Sequence, residues 1–200
     1  MAKNNQVTKT AAFLYEVGTM RKIARAHRQS LLTDDLSDNI ASHSYRVTWI
    51  GWLLAKMEKV DESSVMLMCM AHDTAEARSG DQNWVHKKYV IVFEDEIIKD
   101  QITGLPGEAD LKKTLGEYHK RETEEAKIAK DADLLDQILL LKEYILSGNK
   151  EAVSWLKDDG NKKNKHYELL YSKSAKLLAK EILKQSPSDW WKNVWTEKRR

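Results

Sequence analysis

Apolar residues recur at helical spacing along most of this chain, and the intervals between them mark where the helices break. Phe13, Leu14, Val17, Met20, Ile23 and Ala24 repeat every three or four positions and predict a first helix from about Lys9 to Arg28. The next stretch, TDDLSDN, reads as a loop. Asp38 or Asn39 then caps a second helix whose inner stripe is Val47, Ile50, Leu53, Leu54 and Met57. From about Glu62 to Arg78 the run Val65, Met66, Leu67, Met68, Cys69, Met70, Ala71 is so apolar that this third helix belongs at the centre of a bundle, with His72 and Asp73 at its inner end. SGDQNWVHKKYV has no period and contains Gly80, which predicts a loop. Helices resume over about Val92 to Thr103, then from about Ala109 to Leu146 with room for one interruption, from Glu151 to Leu156, and from Tyr167 to Lys184. Trp190, Trp191 and Trp195 near the end suggest a short amphipathic helix packed on the bundle or on a partner subunit.

The fold class expected is therefore all-α, one helical bundle over residues 1–200, with a core from about 25 to 145 and a C-terminal helical extension from about 149 to 200. Only Pro106 and Pro187 occur, both between periodic segments, so no helix interior is broken by proline. With 42% apolar residues, a chain of this length buries a sizeable core and still has room for a pocket. Thirty-three basic and 31 acidic residues leave a formal charge of +2, which points to neither nucleic acid nor a membrane as partner. The single Cys69 excludes an internal disulfide framework. The N-terminus has no apolar signal-like core, and no uninterrupted stretch of 18 apolar residues occurs, so a cytoplasmic protein is the expectation.

The chemistry concentrates in three segments. His43 opens the second helix, His72 and Asp73 end the third, and Asp133 lies in AKDADLLDQ on a later one. Two imidazoles and two carboxylates suit one divalent cation with positions left open for water and substrate, and Mn, Co, Fe, Mg and Zn all accept such ligands. Glu76, four residues beyond His72, lies on the same helical face as a candidate proton-handling group. Each residue has a plainer role open to it. His43 could be a helix cap, Glu76 a partner of Arg78, Asp81 a turn residue after Gly80, and Arg25 a cation at a helix end. Asp131 and Asp136 compete with Asp133 on the same helix, Trp49 and Trp52 read as core, and His119 and His166 read as surface.

Taken together, NIASHS, MAHDTAEARSGD and EEAKIAKDADLLDQILLLKEY resemble the HD-domain phosphohydrolases, and most closely their small 5'-deoxynucleotidase branch. The resemblance implies an α-helical bundle, often dimeric, hence a possible homodimer, acting on a small-molecule nucleotide. It implies His43, His72, Asp73 and Asp133 as metal ligands, with Glu76 and Asp81 as catalytic carboxylates. It also implies Arg25 on the phosphate, matching the arginine of an Arg-x-Gly-Trp element, although His27 and Arg28 stand here in place of the glycine and tryptophan. Trp84, in the loop after Asp81, is then the candidate nucleoside contact, and Arg28, Lys87 and Lys88 are further candidates to meet phosphate charge. The extra basic residues keep a nucleoside triphosphate or polyphosphate substrate as an alternative. A non-catalytic metal- and nucleotide-binding module is the alternative of another class.

Overall fold

The computed structural model describes residues 2–156, 165–194 and 198. Among these there is no strand, only an isolated bridge between Ala24 and Asn39. The α-helices are α1 (Ala2–Gly18), α2 (Arg28–Leu31), α3 (Ile40–Glu58), α4 (Glu62–Ala71), α5 (Glu76–Ser79), α6 (Trp84–Tyr89), α7 (Glu94–Ile102), α8 (Glu108–Lys120), α9 (Glu124–Leu146), α10 (Lys150–Leu156), α11 (Lys165–Glu168) and α12 (Lys173–Lys184). None of them is long and apolar enough to cross a membrane.

Local chemistry sets the main boundaries. Asn39 caps α3 by accepting from Ser42 N–H while the Ser42 hydroxyl reaches back to the Asn39 amide, a capping box. Asp61, Thr123 and Ser172 cap α4, α9 and α12 in the same sense, each side chain satisfying an otherwise orphaned N–H. Such a cap contributes about 1 kcal/mol. Lys59 ends α3 and Arg121 ends α8 in left-handed conformations, and the second of these is the interruption expected between Ala109 and Leu146.

The core lies where α3, α4 and α9 meet. Val47, Ile50 and Leu54 of α3 pack with Val65, Met68 and Cys69 of α4 and with Ile128, Leu135 and Ile138 of α9. Burying each of the larger of these side chains contributes roughly 1.5–3 kcal/mol. Gly51 allows the close approach of α3 to α4, because a Cβ there would sit 2.5 Å from the Cys69 sulfur. Asp131, one of the two aspartates competing with Asp133, accepts from the Tyr171 and Ser172 amides and so anchors the start of α12 on α9.

Several expected elements differ. The first helix stops at Gly18 and passes through a 3-10 turn, Thr19–Lys22, into an extended stretch that pairs with the segment before α3, so Arg25 is not helical. The third helix ends at Ala71, after which i→i−3 hydrogen bonds from Thr74 and Glu76 tighten the chain into a turn before α5. The segment read as a loop contains the short helix α6, capped by Asn83. Leu53 and Met57, placed in the inner stripe of α3, are exposed. Trp49 is also half exposed, its ring edge-on to Trp52 on the outer face of α3 rather than in the core. Trp190 and Trp191 lie in exposed turns, and Trp195 lies outside the described residues.

Candidate functional site

α3 and the turn after α4 bring His43, His72 and Asp73 to one point, and α9 places Asp133 beside His43. His43 Nε2 lies 3.3 Å from His72 Nε2, 3.4 Å from Asp73 Oδ2 and 3.4 Å from Asp133 Oδ1. His72 Nε2 is 3.2 Å from Asp73 Oδ2. The tightened turn at 72–76 presents these adjacent residues, about 100° apart on a regular helix, to the same point. Among the described residues, His43, His72 and Asp73 form the cluster compact enough to hold a metal ion.

The groups behind the histidines orient them. His72 Nδ1 lies 2.9 Å from the Cys69 carbonyl, which only accepts, so Nδ1 carries the hydrogen and Nε2 presents its lone pair to the cluster. His43 Nδ1 is held at 2.7 Å by Asp136, which is in turn held by Arg46 at 2.5 Å, and Arg46 reaches Glu143 at 2.6 Å. A carboxylate or carbonyl behind each ring is the arrangement that fixes a metal-binding imidazole. The donor set therefore fits a divalent ion.

The electrostatics of the buried groups supports the same reading. Burial and Arg25 pull the His43 imidazole down, but hydrogen bonds to Asp136 and Asp73 and the charge of Asp133 outweigh them and raise its pKa to about 9. Burial pushes Asp73 and Asp133 up. It is overcome at Asp73 by the charge of His72 and the hydrogen bond from His43, and at Asp133 by Lys130, 2.5 Å away, and the two histidines, so both stay ionised well below the usual carboxylate range. In the metal-free protein a proton on His43 Nε2 thus faces the Asp73 and Asp133 carboxylates at the place a cation would occupy. A ligating nitrogen must be unprotonated, so metal uptake near neutral pH is expected to release a proton. Apparent affinity should climb with pH and level off above about 9, the range set by His43. Calorimetric titration in buffers of different ionisation enthalpy reads the released proton. An affinity flat from about pH 6 to pH 9 would contradict a site that includes His43.

Beside the cluster, Glu76 at the start of α5 has a buried Oε2 without a hydrogen-bond partner. Burial, with the charges of Asp73 and Asp81 added, raises its carboxyl to about 9 against the opposing pull of Arg25 and His43. Arg78 does not pair with it and binds Glu16 at 2.6 Å instead. The extended stretch after the 3-10 turn carries Arg25 between Asp73 at 3.6 Å and Asp81 at 3.3 Å, while Asp81 also accepts from the Ala26 amide at 2.5 Å. Although these ion pairs hold Arg25 in place, its Nε and Nη1 are buried and donate no hydrogen bond.

Arg25, His72, Asp73, Glu76, Asp81 and Asp133 line one cavity of about 490 Å³, whereas His43 and the Asp136 and Arg46 groups behind it do not. Of the candidate substrate contacts, Arg25, Trp84 and Lys87 line it. Arg28 and Lys88 are not among its lining residues. Arg28 turns to Asp34 on another face because α2 starts a new helix at that residue, and the Lys88 ammonium sits over the Tyr89 ring. His119 and His166, read as surface, both line the cavity.

His27, which the sequence placed near the pocket, lines it, and so do Arg121, Lys130 and Trp155, which sequence reasoning did not single out. That reasoning also left Asp136 as a mere competitor, although its place three residues after Asp133, on one helical side, was the available signal. Nothing local marked Trp155, which α10 brings in from the C-terminal part of the chain.

Comparison with known proteins places this geometry. The HD-domain profile (HD_3) matches residues 19–175. The 5'-deoxynucleotidase HDDC2 of Dictyostelium discoideum is 27% identical over 122 residues, 55% of this chain and 64% of the relative's length. Among solved structures, a conserved hypothetical protein from Pyrococcus furiosus superposes with a TM-score of 0.71 at 26% identity, over 88% of this chain and 99% of its own. A protein titled predicted metal-dependent phosphohydrolase, from Magnetospirillum magnetotacticum MS-1, has the same fold, with a TM-score of 0.65 at 24% identity over 90% of this chain and 91% of its own. With the profile spanning most of the sequence, the chain belongs to the HD-domain family.

Proposed function

We propose that the protein hydrolyses the 5'-phosphate of (deoxy)nucleoside monophosphates, with His43, His72, Asp73 and Asp133 holding one divalent ion. The observation that carries the phosphate reading is Arg25, a buried guanidinium whose Nε and Nη1 donate to nothing in the protein. These atoms face the Asp81 and Asp73 carboxylates at 3.3 and 3.6 Å without a hydrogen bond, so a phosphate oxygen accepting from the fork supplies the charge-assisted hydrogen bonds they lack. Asp73 and Asp81 hold that fork in position from either side. The distant 5'-deoxynucleotidase relative supports a nucleoside monophosphate as the compound bearing the phosphate.

When bound, the ion supplies Lewis acidity toward a phosphoryl oxygen and a water. The chain's own residues supply the rest. As the bond from a water oxygen to phosphorus forms and the bond to the 5'-oxygen breaks, the water must lose a proton and the departing oxygen must gain one. Glu76, with a free oxygen in the cavity, is the group placed to pass that proton. Asp81 assists by holding Arg25 and the Ala26 amide.

The test is product analysis on metal-loaded protein offered deoxy- and ribonucleoside mono-, di- and triphosphates. Orthophosphate from the monophosphates is expected. Lys87, Arg121 and Lys130 also line the cavity and favour a second reading in which a more highly charged phosphate is taken, which triphosphate or pyrophosphate release would reveal. No product from any substrate would leave a metal- and nucleotide-binding module without turnover.

A further inference from the structure

The cavity has an aromatic wall that the metal and phosphate groups do not use. Trp84 on α6 is more than half exposed, yet its ring meets that of Trp155 on α10 at 4.4 Å between centroids, tilted by 48°. Both line the cavity. His27, buried and held by Asp38 at 2.6 Å, meets the Trp155 ring edge-on at 6.4 Å. An exposed tryptophan stacked on another across a cavity gains little from core burial, so its flat apolar face is available to a ligand.

The position of this wall is fixed relative to the phosphate end. Asn83, which precedes Trp84 and caps its helix, donates to the Ala26 carbonyl at 3.0 Å and to Gln29 at 3.2 Å. Ala26 follows Arg25, and its amide is the one bound by Asp81. His27, against Trp155, is two residues from Arg25, at most about 7 Å along the chain, the scale on which a pentose separates a phosphate from its base. Both tryptophans are thus referenced to the short stretch that carries the phosphate-binding guanidinium.

We propose that Trp84 and Trp155 form a nucleobase platform, so that α10, which contributes none of the metal ligands, sets this site's requirement for a base on the substrate. The inference rests on the phosphohydrolase reading above for its phosphate end and names the compound at the other end. Because the two rings touch each other, the base stacks on their outer face rather than between them. Stacking tolerates any base, so the platform selects for the presence of a base more than for its identity.

The experiment compares kcat/KM for a deoxynucleoside monophosphate and for deoxyribose 5-phosphate, the same ester without the base, in the wild type, Trp84→Ala and Trp155→Phe. Trp84 is exposed, and phenylalanine keeps a ring where Trp155 also packs near Leu31 and Leu141, so both variants should fold. The wild type should prefer the nucleotide by roughly 5- to 150-fold, and Trp84→Ala should collapse that ratio toward one, mainly through KM, with metal content unaltered. Trp155→Phe should reduce it by less. A wild type indifferent to the base, or variants that lower both substrates in parallel, overturns the platform and leaves the phosphohydrolase reading intact. If neither ester is hydrolysed, equilibrium dialysis of the nucleotide decides. Binding weakened in Trp84→Ala keeps the platform while the hydrolase reading falls, and binding that is absent or unchanged removes the platform.

Discussion

Glu76→Gln is expected to lower turnover by about 10²–10⁴-fold while the protein still binds its metal ion, the range over which one positioned proton-transfer group usually acts. Glutamine matches the shape of a protonated carboxyl, so packing around the cavity is preserved while proton transfer is lost. The same variant should be more stable than the wild type without metal. Glu76 titrates near 4.5 when unfolded and near 9 when folded. Between those values the folded state binds the extra proton, so stability falls as pH rises from about 4.5 to about 9. Glutamine carries no such penalty. The midpoint of thermal unfolding of the metal-free variant should therefore exceed that of the wild type, with the gap widening across that range, about 2–4 °C for each kcal/mol in a chain of this size. A variant that is less active and more stable marks a group kept for chemistry at a cost in stability. Unchanged turnover from a clean preparation would remove Glu76 from the reaction.

Asp73→Ala should abolish stoichiometric metal binding and, with it, activity. Asp73 Oδ2 lies within 3.6 Å of His43 Nε2, His72 Nε2 and Arg25 Nη1, so one oxygen serves two candidate ligands and the candidate phosphate-binding arginine. Removing it also takes one counter-charge from Arg25 and from His43, which keep Asp81 and Asp136 respectively. Asp73→Asn keeps the volume and separates loss of ligation from loss of packing. Metal content by elemental analysis, read beside the circular dichroism of each variant, is the measurement. Full metal occupancy and activity in both variants would show that the ion, if there is one, sits elsewhere.

The helical fold was largely legible because its signals are local. Apolar spacing marked α3, α4 and α9, and Asn39 was one of the two expected caps of α3. The misplacements share a cause. The apolar period of the first helix continues past Gly18, but the segment around Ala24 is drawn into a bridge with Asn39, a long-range contact that no window of sequence contains. Likewise Leu53 and Met57 fit the stripe of α3, yet the partners facing α3 do not extend to cover them. The wider spread of helical apolar positions shows where a helix is, not how much of its surface a neighbour reaches.

Residue types at their spacings brought forward His43, His72, Asp73 and Glu76, because a metal-binding or proton-handling group must be one of a few side chains and sits at a helix end or one turn away, whereas the resemblance to the HD-domain phosphohydrolases was needed to choose Asp133 over Asp131 and Asp136. Tertiary structure alone decided the rest. It showed that a tightened turn presents His72 and Asp73 to one point, that Asp136 rather than a more distant group backs His43, and that Arg25 reaches the site from an extended strand-like stretch. It turned Arg28 away and brought Trp155 in from α10. The physical reason is one of range. Hydrogen-bond periodicity and side-chain chemistry act over a few residues and are written in order along the chain, whereas the direction in which a side chain points into a shared cavity depends on how segments more than a hundred residues apart, such as those of His27 and Trp155, pack against one another.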